Sequence, residues 1–149
     1  MERLLVAFVL VVLAISIAAV LQRRRPAAPT GTSWNVPNQL DRADFRSPGA
    51  PWLVAVFTSA TCAACSDVAM KAKALESDNV VVQELEVTAE AELHRRYGID
   101  AVPLVLIVDG EGVVVRHFLG PVTATDLWAA VAEAREPGST PEGCHDHGA

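Results

Sequence analysis

The sequence is short of cysteine and of positive charge. Three cysteines in 149 residues are too few for a disulfide-stapled scaffold. Twelve basic residues against 18 acidic ones leave a formal charge of −6. That balance argues against a nucleic-acid binder, which relies on a basic surface. Charged residues make up 20% and hydrophobic ones 51%, a mixture that fits neither a disordered chain nor a multi-span membrane protein. No internal repeat is visible. The length allows one ordinary domain plus accessories.

Hydrophobicity is concentrated at the N-terminus. Leu4 to Leu21 carries no charge and a single polar side chain, Ser16. As a helix this run spans about 27 Å, close to a hydrocarbon core of about 30 Å. It is apolar all round, unlike a core helix, and Arg23-Arg24-Arg25 ends it. Ser16-Ile17-Ala18 and Ala18-Ala19-Val20 resemble a signal-peptidase site only loosely. The segment 4–21 is therefore expected to be a single transmembrane anchor. One basic side chain, Arg3, precedes it and three follow, which places the C-terminal side in the cytoplasm, with an extracytoplasmic domain as the alternative. With Arg3, the three arginines and Glu2 set aside, eight basic and 17 acidic residues remain, so the rest of the chain carries −9.

Residues 22–33 form the basic stop and a small, Pro-containing linker. Pro137-Gly138-Ser139-Thr140-Pro141 starts a flexible tail, 137–149. The folded unit is expected over 34–136, enough to bury one core. Within it the apolar run Trp52 to Thr58 predicts a buried strand. Ser66 to Ser77 has helical spacing, and Val80 to Val87 is a β-branched strand that ends in alternation. A short helix over Ala89 to Tyr97 is closed by Gly98. Leu104 to Val108 suits a central strand, Asp109-Gly110-Glu111-Gly112 a hairpin turn into Val113 to Phe118, and Thr123 to Ala134 a last helix. The order βαβαββα implies an α/β fold. It begins with a right-handed parallel crossover, ends in an antiparallel strand, and has a mixed sheet with helices on both faces.

Cys62-Ala63-Ala64-Cys65 falls between the first strand and the first helix. Such spacing lets two sulfurs meet within a turn. A cysteine at a helix N-terminus has its thiolate, the nucleophile of disulfide exchange, favoured by the dipole. Thr61 is positioned as the helix N-cap. Asp67, in the first helical turn, complements the dipole.

Over about residues 40–136 the sequence resembles thioredoxin. Val54 to Cys65 is similar to that family's strand into its redox motif, and Tyr97-Gly98-Ile99-Asp100-Ala101-Val102-Pro103-Leu104 to the segment with its cis-proline. Asp109-Gly110-Glu111 and Gly120 match its last hairpin and the glycine beyond it. Pro103 stands 38 residues after Cys65 and opens an apolar strand. The resemblance implies a thioredoxin fold behind the anchor and a thiol–disulfide oxidoreductase acting on protein thiols or disulfides near the membrane. It further implies an unidentified electron donor or acceptor and no cofactor beyond the Cys62–Cys65 couple. By the same resemblance Cys62 attacks, Cys65 resolves, Pro103 faces the sulfurs, and Val102 and Thr61 meet the partner segment.

Five positions depart from the family. Thr61 replaces Trp, Ala63-Ala64 replaces Gly-Pro, Met70 replaces a proline, and Val56 replaces the buried Asp that helps move the resolving cysteine's proton. Without that Asp, water or another group must deprotonate Cys65.

Other readings stay open beside this one. A structural zinc knuckle would need four ligands, and no second CxxC or His pair lies in the domain. His94 and His117, beside arginines, are expected at the surface. In the tail, Cys144, His145 and His147 are weak candidates to hold a soft or borderline metal. A non-enzymatic metal-handling or binding module is thus the alternative function. A disordered tail, or a third exchanging thiol at Cys144, are the other expectations for that segment.

Overall fold

The structure is a computed structural model that describes residues 34–139. The expected anchor 4–21, the linker 22–33 and the metal candidates Cys144, His145 and His147 lie outside the described residues. Among the described residues no helix is long and apolar enough to cross a membrane.

Four strands, β1 (Trp52–Thr58), β2 (Val80–Glu86), β3 (Leu104–Val108) and β4 (Val114–Leu119), form one sheet in the order β2-β1-β3-β4. β2 runs parallel to β1, while β3 is antiparallel to β1 and β4 to β3. The central strands β1 and β3 have neighbours on both edges and helices or loops over both faces. That explains their unbroken apolar runs, since every residue of β3 and all of β1 but Trp52 are buried.

Three helices cover the sheet: α1 (Cys65–Lys73), α2 (Ala91–Arg96) and α3 (Ala124–Arg135). Val54, Val56, Val105 and Ile107 pack on one face against Val68 and Ala72 of α1 and Leu127 and Val131 of α3. Leu53, Ala55, Phe57, Leu104 and Leu106 pack on the other face, with Leu93 and Tyr97 from the α2 region and Leu40 and Phe45 from the N-terminal segment. The mixed sheet with helices on both faces is as the sequence implies.

Element ends differ from the sequence reading for local reasons. α1 stops at Lys73 rather than Ser77, and Ser77 and Val80 exchange backbone hydrogen bonds across Asp78-Asn79, a pair suited to turns. α2 starts at Ala91 rather than Ala89, because the Glu86 carboxylate takes the N–H groups of Thr88 (2.8 Å) and Ala89 (3.1 Å) into a turn. A 3-10 turn, Arg42–Asp44, was not expected from the sequence. In the β3–β4 hairpin Gly112 has φ +86°, and a Cβ there would stand 2.1 Å from the Leu40 carbonyl oxygen, so only glycine fits.

Tyr97 ties this framework to the N-terminal segment. Its hydroxyl donates to Asp44 and accepts from the Asp41 N–H at 3.0 Å. Burial, reinforced by the hydrogen bond to the Asp44 carboxylate, pushes the phenol up to about 12.

Candidate active site

The end of β1 delivers the chain to the redox motif. Thr58, its last residue, is buried, and Ser59-Ala60-Thr61 turn the backbone so that the Cys62 N–H donates to the Ser59 carbonyl at 3.0 Å. Cys62 and Cys65 are joined by a disulfide, with Cα atoms 5.4 Å apart. The two sulfurs have unlike surroundings. Cys62 is half-buried, whereas Cys65 is 2% exposed. The difference follows from the helix. Cys65 is its first residue and lies on the inward stripe with Val68 and Ala72, while Cys62 stands in the turn outside it.

Two sequence expectations are corrected here. Thr61 is not the N-cap of α1, because helical structure begins at Cys65 and Ala64 takes the cap position with no side-chain bond. The Thr61 hydroxyl instead meets that of Ser59 at 3.1 Å. Cys62 accordingly lies before the helix rather than at its first turn, with its carbonyl accepting from the Cys65 N–H at 3.3 Å. Asp67 does occupy the first helical turn, where Lys71 balances its charge at 2.6 Å.

Pro103 comes to the same end of the sheet. The antiparallel register sets Phe57 opposite Leu104, and one further step brings Pro103 level with Thr58. The Val102–Pro103 peptide bond is cis. Pro103 is buried and Val102 half-buried, and the Pro103 carbonyl accepts from the Gly120 N–H at 2.8 Å.

The positions that depart from the thioredoxin pattern have clear places. Val56 is 1% exposed and part of the core between the sheet and α1. Met70 is exposed on α1. A groove of about 580 Å³ runs between α1 and β2, lined by Val56, Ser66, Ala69, Met70, Lys73 and Glu84 among others.

Carboxylates on β2 that the sequence reading passed over serve this region. Glu84 accepts a hydrogen bond from the buried Thr58 hydroxyl at 3.0 Å. Glu86 accepts one from the Ala60 N–H at 3.2 Å, within the turn that carries Cys62. Burial pushes the Glu86 carboxyl up, but the N–H groups of Ala60, Ala89 and Thr88 outweigh it and hold the group below the usual glutamate value. The available signal was two glutamates at alternate positions of a strand that opens on three valines.

His94 corrects another expectation. It is buried rather than at the surface, with Nε2 bonded to the Leu85 carbonyl at 2.8 Å and its ring edge-on to Phe57 at 5.0 Å. Its neighbours Arg95 and Arg96 face out, while His94 lies on the inward side of the helix with Leu93 and Tyr97. His117 is exposed on β4. Among the described residues no group of three or more His, Cys, Asp and Glu side chains could hold a metal ion.

A buried and a half-exposed cysteine, bonded to one another at the mouth of a four-stranded α/β sheet, define a dithiol–disulfide protein. The thioredoxin family profile matches residues 42–133, and the chain belongs to the thioredoxin family. Solved structures similar to it include the reduced Schistosoma mansoni thioredoxin pre-protein. That match has 22% identity and a TM-score of 0.48 over 57% of this chain and 80% of that one. Fasciola hepatica thioredoxin matches at 24% identity and a TM-score of 0.50, over 58% of this chain and 83% of that one. No curated protein sequence matches. A thioredoxin domain carrying this cysteine pair supports thiol–disulfide oxidoreductase chemistry in general.

Proposed function

We propose that the protein is a membrane-tethered thiol–disulfide oxidoreductase working through the Cys62–Cys65 couple without a dissociable cofactor. The observation that carries this reading is the pairing of a half-exposed Cys62 with a buried Cys65 at the end of β1 in a thioredoxin domain. Exposure selects the attacking sulfur, because exchange needs an accessible thiolate in line with the partner's disulfide. In the reducing direction Cys62 attacks a protein disulfide and forms a mixed disulfide, and Cys65 then displaces the partner thiolate and closes the intramolecular bond. The oxidising direction runs through the same intermediate in reverse.

Pro103 contributes a residue with no N–H to compete for the sulfurs. Val102 offers backbone groups to an extended partner segment in strand-addition fashion, and Thr61 flanks that segment beside Cys62. Residues 4–21 anchor the chain, and Arg23-Arg24-Arg25 turn the domain toward the cytoplasm. Its partners are then protein thiols and disulfides close to the membrane, with a separate electron donor or acceptor.

The test is insulin reduction in the presence of dithiothreitol. The unaltered chain should accelerate precipitation of the insulin B chain, and Cys62→Ser should bring the rate to that of dithiothreitol alone. Equal rates with and without the unaltered protein would refute the reading.

A further inference from the structure

A resolving thiol that is buried must lose its proton before it can attack. Cys65 is 2% exposed, and burial in apolar surroundings disfavours the thiolate. On the sheet face that α1 covers, β1 presents Trp52, Val54, Val56 and Thr58, and none of these side chains is a base. The parallel register sets Val56 beside Glu84 on β2, so both side chains point to the α1 face of the sheet. The groove between α1 and β2 has Val56 and Glu84 on one side and Ser66 and Ala69 on the other. Ser66 follows Cys65 directly, and Ala69 is one helical turn beyond it.

From this placement we propose that Glu84 is the base that receives the Cys65 proton during resolution, with the Thr58 hydroxyl as the positioning and relay group. The inference rests on the exchange chemistry proposed above. Thr58 already donates to Glu84 at 3.0 Å, which leaves its oxygen lone pairs free to accept from a thiol.

In the mixed disulfide the Cys65 S–H proton passes to the Thr58 oxygen as the Thr58 proton passes to Glu84. The Cys65 thiolate attacks the Cys62 sulfur, the bond from Cys62 to the partner sulfur breaks, and the partner leaves as a thiolate with the electron pair. Glu84, exposed at the mouth of the groove, returns the proton to water.

The other charged groups nearby are engaged elsewhere. Lys73 and Arg46 line the groove but bind Glu76 at 2.7 and 3.0 Å. Asp67 of α1 is paired with Lys71, and Glu86 of β2 is held by the N–H groups of Ala60, Thr88 and Ala89. Glu84 is the lone carboxylate among the described groove residues.

The experiment uses the full-length chain with Cys144→Ser, reduced and mixed with a nitrobenzoate disulfide that releases a coloured thiolate at each step. The first release reports attack by Cys62, and the second reports resolution by Cys65. Glu84→Gln keeps an acceptor for Thr58 but loses basicity. It should leave the first release unchanged, slow the second at least about tenfold at neutral pH, and move its pH midpoint upward. Glu84→Asp should recover part of the second rate, and Thr58→Val should slow it without touching the first. A second release in Glu84→Gln as fast as in the unaltered chain, with the same pH profile, overturns the assignment of Glu84 alone. Absence of a rapid first release in the unaltered chain defeats the oxidoreductase reading and this assignment with it.

Discussion

The Glu86 carboxylate holds the backbone of Ala60, two residues before Cys62, at 3.2 Å. The same side chain accepts from Thr88 and Ala89, so a single ionised group fixes both the redox turn and the entry to α2. Its pKa lies below the usual glutamate value, hence its contribution to stability is complete above the unfolded-state pKa and is lost as pH falls through the lower folded-state value. Glu86→Gln should therefore lower the urea midpoint at neutral pH, and the gap to the unaltered protein should close on acidification. Midpoints measured from neutral to acid pH check this, and a gap independent of pH would contradict it.

Tyr97 gives the opposite sign at the alkaline end. It is the chain's single tyrosine, so ultraviolet titration reads it without ambiguity. Its phenol, raised to about 12 by burial and by Asp44, should ionise about two pH units above the unfolded chain's tyrosine. The stabilisation is complete below the unfolded-state value near 10 and is lost as pH rises through about 12. Tyr97→Phe should cost about 1–2 kcal/mol near neutral pH. A native phenol that titrates at the unfolded value would contradict the arrangement.

How far the sequence could be read depended on how local each signal was. The runs Trp52 to Thr58 and Leu104 to Val108 announced central strands because both of their faces are covered. The CxxC and the segment up to Pro103 announced the site because they are contiguous stretches. The relation of Glu84 to Thr58 and of Glu86 to Ala60 spans 26 residues in each case and exists only once β1 and β2 pair in register. Thr61 was misplaced because a cap is defined by where the helix begins. The disulfide turn occupies Cys62 to Ala64, so the helix starts at Cys65 rather than directly after Thr61.

His94 was misread for a related reason, since two arginines follow it and the burial of a side chain on a six-residue helix depends on what lies beneath. What lies beneath is Phe57, with the Leu85 carbonyl within hydrogen-bond reach of the ring. His94→Ala would leave a cavity beside Phe57 and remove the side-chain hydrogen bond to the Leu85 carbonyl, and should cost about 2–4 kcal/mol. Chemical denaturation measures this directly, and a loss below about 0.5 kcal/mol, the ordinary range for a surface site, would argue against the buried placement.

Orientation at the membrane is testable apart from chemistry. Reporter fusions placed after Arg25 should be active in the cytosol and inactive outside, and neutral residues at Arg23, Arg24 and Arg25 should weaken that preference. Reporters active outside the cytoplasm in the unaltered chain would reverse the orientation and change the class of electron donor available to the couple.

The unequal exposure of the two cysteines makes the sharpest prediction. A mixed disulfide at Cys62 persists only when no second thiol can displace the partner. Cys65→Ser should thus accumulate disulfide-linked adducts with protein partners that dissolve on reduction. Cys62→Ser should accumulate few, because the remaining Cys65 thiol is buried beneath the helix start and cannot reach a partner's disulfide. Non-reducing electrophoresis of the two variants, each in a Cys144→Ser background, compares them directly. The background substitution matters, since the tail thiol could otherwise resolve an adduct or form one of its own. Equal trapping by both variants would mean that both sulfurs are accessible to partners in solution, and the division into attacking and resolving cysteines would fail. Strong trapping by Cys62→Ser alone would reverse it.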